Sequence, residues 1–212
     1  ATYKVNLSEA ERENVKDYEH FNDFFTRSLK KTSRPISSLP VISPVDGVVS
    51  QAGKINKSEI VQAKGKKYSV SALLDDKSID TAYFNSFTTI YLSPKDYHRI
   101  HMPCDGDLVS MKYIPGDLFS VNKQTVNNLD QVFARNERLV CFFNTEFGEM
   151  IFILVGAIFV GSMQTSWEGQ ISPPYSKSVK HYDYKEEEIR LKKGVELGRF
   201  NMGSTVIILL SN

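Results

Sequence analysis

Apolar residues near the start of the chain recur at helical spacing, with polar residues between them. They are Tyr18, Phe21, Phe24, Phe25 and Leu29. A capping-box pattern, Ser8 followed three residues later by Glu11, precedes them. These features predict amphipathic helices in the N-terminal segment. Their apolar face is expected to pack into the core; contact with a membrane or lipid is the alternative.

From Val41 onward, short apolar runs alternate with turn-forming residues, which is typical of strands. The predicted strands cover 60–63, 68–70, 87–92, 108–114, 139–143, 150–155 and 206–210. Two pairs of them, 60–63 with 68–70 and 139–143 with 150–155, are expected to form hairpins. A short helical turn is predicted over 71–75 and a short helix over 125–135, and residues 161–167 are expected to continue the sheet. The pattern predicts an α+β fold, in which N-terminal amphipathic helices precede a mostly antiparallel β body in a single domain.

Composition excludes several classes of protein. The chain has 212 residues, enough for one hydrophobic core, and is 41% hydrophobic and 24% charged. A net charge of +1 does not indicate a nucleic-acid binder. Two cysteines, Cys104 and Cys141, do not make a disulfide framework. No apolar run reaches the roughly 18 to 20 residues of a membrane span, and no signal-peptide pattern opens the chain. Because the chain begins without Met, the sequence leaves open whether an anchor segment precedes it.

A Gly203-Ser204 step lies just before the last apolar run. Gly203 leaves its carbonyl sterically open, and the Ser204 hydroxyl is a potential nucleophile that needs a base. It is also consistent with a simple turn before a core strand. Asp46, in the turn sequence Pro-Val-Asp-Gly, and His101 are a candidate orienter and base for this serine.

The histidines of the chain are His20, His98, His101 and His181, and two of them lie three residues apart. With Cys104, His98 and His101 offer three zinc-type ligands, and Cys141 is a candidate fourth. Ordinary loop histidines or a general base tuned near neutral pH are the other interpretations.

Several segments taken together resemble the bacterial phosphatidylserine decarboxylases, which are self-processing pyruvoyl enzymes. The matching segments are 21–27, 44–47, 92–103, 115–122, 133–138 and 198–205. They occur in this order over nearly the whole chain, which makes the resemblance highly specific. The family usually has Leu where this chain has Met202, an apolar exchange away from the reacting atoms. Family members usually carry a further apolar segment ahead of this start.

The resemblance implies that His101, held by Asp46, takes the proton of Ser204. The serine oxygen then attacks the Gly203 carbonyl, and β-elimination and hydrolysis leave a pyruvoyl group at position 204. A catalytic domain of residues 1–212 would thus become chains 1–203 and 204–212. The pyruvoyl group would form a Schiff base with phosphatidylserine and release CO2, giving phosphatidylethanolamine.

The resemblance also assigns His98 to protonation of the substrate carbon. The substrate-binding candidates are Leu118, Phe119, Ser120, Val121 and Asn122. It further implies a homodimer of the cleaved heterodimer, without a metal, at the periphery of the cytoplasmic face of the bacterial cell membrane. A non-catalytic lipid-binding module, using Phe21, Phe24 and Phe25 with nearby lysines, is the alternative function. A zinc-dependent hydrolase is a third hypothesis.

Overall fold

The fold is organised around an eight-stranded antiparallel sheet in a computed structural model that describes residues 4–63, 65–158, 162–201 and 205–211. The strands are β1 (Val48–Lys54), β2 (Glu59–Ala63), β3 (Lys66–Ser69), β4 (Ser86–Tyr91), β5 (Arg99–His101), β6 (Gly106–Ile114), β7 (Arg138–Thr145), β8 (Gly148–Val155), β9 (Met163–Thr165), β10 (Gly169–Ser172), β11 (Lys180–Asp183), β12 (Arg190–Leu191), β13 (Glu196–Phe200) and β14 (Thr205–Leu210). The α-helices are α1 (Phe21–Phe25), α2 (Val70–Leu74), α3 (Lys123–Asn128) and α4 (Val132–Arg135), and 3-10 turns cover Val15–Asp17 and Thr81–Tyr83.

The large sheet has the order β1-β4-β14-β8-β7-β6-β11, and β12 also pairs with β6. A second sheet has the order β10-β9-β13-β5, and β2 pairs with β3 in a hairpin. The α+β class, the mostly antiparallel body and the hairpins β2–β3 and β7–β8 are confirmed. The prediction that residues 161–167 continue the large sheet is wrong, since β9 pairs with β10 and β13 in the second sheet.

Strand β14 lies in the middle of the large sheet and is buried on both faces. It pairs with β4 on one side and with β8 on the other. Val206 and Ile208 pack into one hydrophobic cluster, and Ile207 and Leu209 pack into the opposite one. Because successive side chains of a strand point to opposite faces, a continuous apolar run suits a strand covered on both sides.

The N-terminal segment differs from its prediction. Ser8 starts no helix, and the only α-helix described before Val48 is the five-residue α1, capped by the side chain of His20. Residues around Ala10 and Leu29 pair as an isolated antiparallel bridge. The Lys30 N–H also donates to the Glu9 carbonyl at 2.9 Å. These long-range contacts fold the segment back on itself, which a long amphipathic helix would prevent.

The predicted helix over 125–135 is divided into α3 and α4. Gln131, between them, has a left-handed φ of 56°. The buried side-chain amide of Gln62 donates to the carbonyls of Val126 and Leu129 and accepts from the Val132 N–H. These contacts replace hydrogen bonds that a continuous helix would make, so a distant glutamine stabilises the break.

Candidate functional site

The candidate site is built on β5, the short strand that His98 immediately precedes and that ends with His101. Strand β5 pairs with β13, with Ile100 opposite Gly198. The Phe200 N–H at the end of β13 donates to the His98 carbonyl at 3.1 Å. This hydrogen bond fixes the backbone of His98 beside Phe200, which is four residues before the predicted cleavage serine, Ser204. Met202, Gly203 and Ser204 themselves lie outside the described residues.

Gly198 allows this close arrangement of strands. A Cβ at position 198 would lie 2.2 Å from the Gln164 carbonyl oxygen of β9, far inside van der Waals contact. Only glycine therefore permits β13 to pair with β5 and β9 at this point. The register that brings β13 past both histidines depends on it.

His101 has hydrogen-bond partners at both ring nitrogens. Its Nδ1 lies 2.8 Å from the Gly194 carbonyl oxygen, and its Nε2 lies 3.0 Å from the Tyr97 hydroxyl. Because a carbonyl only accepts, Nδ1 carries the proton of the neutral ring and Nε2 accepts from the tyrosine. Burial raises the pKa of Tyr97 to about 12, so its hydroxyl keeps the proton that it donates. The basic lone pair of His101 is thus at Nε2.

Asp46 and His101 line the same cavity, whose volume is about 700 Å³. The Pro44 carbonyl accepts from the His101 N–H at 2.8 Å, which links the turn to β5. The Asp46 carboxylate is bound by Arg34, whose Nε lies 2.9 Å from Oδ1. Its hydrogen bonds to Asp46 hold the pKa of Arg34 above its usual value. The structure brings Asp46 and His101 together, but the Gly194 carbonyl, not Asp46, orients the imidazole.

His98 lies in a different environment. Its side chain is fully buried, and its ring centroid is 4.0 Å from that of Phe25. Nδ1 is 2.8 Å from the Asp96 carbonyl oxygen and therefore carries the proton of the neutral ring, while Nε2 has no partner among residues 4–63, 65–158, 162–201 and 205–211. Burial lowers the pKa of His98 to about 4, and the charge of Arg27 acts in the same direction. The ring is therefore neutral near pH 7.

Arg27 was not recognised from the sequence as a site residue. It is only 4% exposed, and its Nη2 donates to the carbonyls of Lys95 at 3.1 Å and Asp96 at 3.3 Å. Burial lowers the pKa of Arg27. Its position within the matching segment 21–27 was the available signal, but nothing local distinguishes it from a surface arginine.

The predicted substrate-binding residues 118–122 do not line the cavity of Asp46 and His101. Val121 is buried in the core, and Asn122 caps α3 by accepting from the Thr125 N–H. The Asn136 side chain donates to the carbonyls of Phe119 and Gly156. Gly156 follows Val155, which pairs with Thr205, so this bridge joins the segment to the start of β14. Leu118, Phe119 and Ser120 are half-buried, and their role stays a prediction.

The zinc hypothesis finds no ligand cluster in the described part of the chain. His98, His101 and Cys104 are not gathered into a group of three side chains that could hold a metal ion, and neither are other described His, Cys, Asp or Glu residues. Burial raises the pKa of Cys104 and of Cys141, so neither is predisposed to the thiolate form that binds zinc.

The fold and the site together define an α+β protein with a candidate acid–base site at strand β5 of its second sheet. A model of the phosphatidylserine decarboxylase family matches residues 21–212. The chain is 52% identical over 211 residues to the phosphatidylserine decarboxylase proenzyme of Acidovorax ebreus, covering 99% of this chain and 75% of that protein. It is 54% identical over 212 residues to the proenzyme of that name from Nitrosococcus oceani, covering 98% and 69%. The chain belongs to the phosphatidylserine decarboxylase family.

Among the described helices, none combines the length and apolar character needed to cross a membrane.

Proposed function

We propose that this chain is a self-processing phosphatidylserine decarboxylase that cuts its own backbone between Gly203 and Ser204 and carries a pyruvoyl group at position 204. Family membership supports the decarboxylase activity, and the name proenzyme in its relatives agrees with processing. The observation that carries the proposal is the pairing of β5 with β13. It holds the backbone of both histidines beside the strand that ends at Phe200.

His101 is the base for processing. When the hydrogen bond from the Tyr97 hydroxyl breaks, the lone pair at Nε2 accepts the Ser204 hydroxyl proton. The Gly194 carbonyl then stabilises the imidazolium through its hydrogen bond with Nδ1. Asp46, which lines the same cavity, adds negative charge that favours this cation when Arg34 releases it.

The central position of β14 explains how a cleaved chain of residues 204–212 stays in place. Its backbone pairs with β4 and β8 from Thr205 to Leu210. Val206, Ile207 and Leu209 are fully buried. Each such side chain contributes about 1.5–3 kcal/mol relative to an exposed one. Chains 1–203 and 204–212 would therefore remain a heterodimer without a covalent link.

Two buried polar groups are available to a small keto group. The Thr205 hydroxyl and His98 Nε2 are both buried without a hydrogen-bond partner among the described residues. Thr205 directly follows the residue that would carry the group, so its hydroxyl is a candidate polar contact. When present, a pyruvoyl group supplies an electron-withdrawing carbonyl for the amine of the substrate. His98 would return a proton to the substrate carbon after CO2 has left, and Leu118–Asn122 would contact the substrate.

Location and assembly follow from the same proposal. The substrate lies in a membrane, so the protein would act at the cytoplasmic membrane surface. Phe21 is 61% exposed and Val15 is 60% exposed, while Lys30 and Lys31 line the rim of the Asp46–His101 cavity. Apolar and cationic groups of this kind suit an anionic lipid surface. A homodimer of the cleaved chains is proposed from the family resemblance alone.

Intact mass measurement under denaturing conditions, combined with CO2 release from phosphatidylserine in detergent micelles, tests the proposal. The wild type should give two chains divided before residue 204, and the shorter one should carry a pyruvoyl group at its N-terminus. Ser204→Ala should give one uncleaved chain without activity. Ser211→Ala, at the other end of β14, removes a comparable hydroxyl and should still cleave. A single full-length chain in active protein contradicts the proposal, and vesicle binding without CO2 release would indicate the lipid-binding module instead.

A further inference from the structure

Arg27 and His98 form a buried polar pair that has more hydrogen-bonding capacity than the described protein satisfies. Arg27 Nη2 and His98 Nδ1 both bind the Asp96 carbonyl, which places the two groups side by side. Arg27 Nε, Arg27 Nη1 and His98 Nε2 have no hydrogen-bond partner in the part of the chain that the structure describes. Arg27 makes no ion pair with any described carboxylate. Burial of a cation in this state is costly, so an anionic partner is expected when the site is in use.

Arg138 shows what a purely structural buried arginine looks like in the same molecule. It is 3% exposed, and all three of its side-chain nitrogens donate to backbone carbonyls. The acceptors are Leu73, Asn136 and Ala72 at 2.6, 2.8 and 3.0 Å. Arg27 is equally buried but uses only one of its three nitrogens. The difference indicates that Arg27 has a ligand and Arg138 does not need one.

We infer that Arg27 binds the phosphodiester group of the phospholipid substrate and so holds the serine α-carbon beside His98. This inference rests on the proposed function. A phosphodiester is a monoanion with two free oxygens, and guanidinium N–H groups form strong charge-assisted hydrogen bonds with phosphate. In the substrate the phosphorus is only a few bonds from the α-carbon. An anchor next to His98 therefore controls the position of the reacting carbon.

The substrate carboxylate is the other anion that could reach this pair. A buried arginine would stabilise that carboxylate most in the ground state, when it carries its full charge, and less as CO2 leaves. Such a contact would raise the barrier to decarboxylation, whereas a contact with the unreacting phosphodiester persists unchanged. Reaction energetics therefore favour the phosphodiester.

A bound phosphodiester also favours a proton on Nε2 of His98, which the resting neutral ring does not carry. The neutral ring has its proton on Nδ1, so Nε2 has none to donate. An anion beside the ring favours the imidazolium form, which carries a proton on Nε2. The pair is closed to solvent on one side by Phe25 of the short helix α1, so substrate reaches it when this cover moves.

The experiment compares Arg27→Gln with Arg27→Lys, and with Arg12→Gln as a matched control. Arg12 belongs to the same segment, but its guanidinium is bound by Asp23. One substrate is dihexanoyl phosphatidylserine, and the other is an O-alkyl-L-serine ether, which keeps the amine and carboxylate but has no phosphate. Binding of dimethyl phosphate and of acetate to the cleaved protein is followed by NMR titration, and cleavage is followed by denaturing mass measurement.

Arg27→Gln should lower kcat/KM for the phospholipid about 10- to 150-fold, mainly through KM, which is the effect of losing hydrogen bonds to a charged group. Affinity for dimethyl phosphate should fall by a similar factor. Cleavage and turnover of the ether should stay within about twofold of wild type. For the phospholipid, kcat/KM of Arg27→Lys should lie between the values of Arg27→Gln and wild type. Arg12→Gln should match wild type.

Equal losses on both substrates together with lost acetate binding would overturn the phosphodiester assignment in favour of the carboxylate. Unchanged kinetics and unchanged dimethyl phosphate binding would overturn it altogether. If the wild type releases no CO2 from phosphatidylserine, the proposed function fails, and the dimethyl phosphate titration still decides whether Arg27 is an anion site. If Arg27→Gln does not fold, Arg27→Lys carries the same comparison.

Discussion

His98 and His101 are three residues apart, yet His101 lines an open cavity and His98 is sealed against Phe25. Both donate from Nδ1 to a backbone carbonyl, so both have a lone pair at Nε2 in the neutral ring. In His101 this lone pair accepts from the Tyr97 hydroxyl, whereas in His98 it has no partner among the residues that the structure describes. The tautomer is the same and the surroundings are opposite.

The difference follows from the strand. His98 immediately precedes β5 and His101 ends it. Side chains an odd number of positions apart along an extended backbone point to opposite sides, so the two histidines reach different environments. Under the proposed function, His101 supplies the base in the cavity that it shares with the Asp46 carboxylate. The environment of His98 excludes water and leaves Nε2 without a partner among the described residues. Under the same proposal, processing and turnover are assigned to two neighbouring histidines.

The sharpest way to break this comparison is to remove each histidine separately. His101→Ala should slow self-cleavage about 10²- to 10⁴-fold, the usual contribution of a general base. His98→Ala should cleave within about twofold of wild type but lose about 10²- to 10⁴-fold in kcat for CO2 release. Cleavage is measured by denaturing mass spectrometry over time, and turnover by CO2 release from protein that is fully cleaved.

His181→Ala is the control for both variants, since His181 is exposed on β11, an end strand of the large sheet, whereas β5 belongs to the second sheet. It should leave both rates unchanged. Loss of cleavage in His98→Ala, or normal turnover in it, would show that the two histidines do not divide the work.

The lowered pKa of buried His98 should make the free energy of unfolding depend on pH, which gives a second test of its environment. Burial lowers its pKa from 6.5 to about 4, so between these values the unfolded chain binds a proton that the folded chain does not. The free energy of unfolding should therefore fall as pH falls through this window, by about 3 kcal/mol in total. Urea unfolding of Ser204→Ala, a single uncleaved chain, is compared with that of Ser204→Ala/His98→Gln.

The difference in unfolding free energy between the two proteins should be constant from pH 7 to 8 and should shrink by about 3 kcal/mol between pH 6.5 and 4. Other groups that titrate in both proteins cancel in this difference. A difference that does not vary with pH would mean that His98 is protonated equally easily in the folded and unfolded chains.

Elements with a local signal in the sequence were predicted. The hairpins and α2 were recognised because turn residues mark their ends, and β14 because its continuous apolar run is typical of a buried strand. The predicted helix start at Ser8 was wrong, and the helix that includes Phe21 is limited to α1, because pairing of Ala10 with Leu29 depends on contacts distant in sequence. The assignment of β9 to the second sheet likewise depends on its partners, β10 and β13, and not on its own residues.

The site divides in the same way. Asp46, His98 and His101 stand out in the sequence because their residue types and spacing suggest acid–base chemistry. Arg27 does not, since its significance comes from burial with two of its three side-chain nitrogens lacking an acceptor among the described residues, which only tertiary packing creates. The Gly194 carbonyl that orients His101 could not be predicted, because any residue at position 194 would present the same backbone group.

Gly198 tests whether the pairing of β5 with β13 holds the two environments apart. It lies opposite Ile100, the residue midway between the histidines. Gly198→Ala would force its Cβ against the Gln164 carbonyl and should cost about 1–3 kcal/mol of unfolding free energy, with slower cleavage. Gly53→Ala is the matched control, because a Cβ there meets only the Phe87 ring at 4.0 Å. Equal stability of the two variants, measured by urea unfolding, would contradict the close strand contact.

Tyr97 gives the smallest expected effect and the finest test of the contrast. Its hydroxyl donates to the Nε2 lone pair that the base must use, so this hydrogen bond must break before the lone pair can accept the serine proton. Tyr97→Phe removes only the hydroxyl, whose hydrogen bond contributes about 0.5–1.5 kcal/mol. Cleavage should therefore become about 2- to 10-fold faster in a time course of newly folded protein, and CO2 release by the cleaved enzyme should stay the same because it depends on His98. Slower cleavage would instead mean that the Tyr97 hydroxyl relays the proton from the serine to His101.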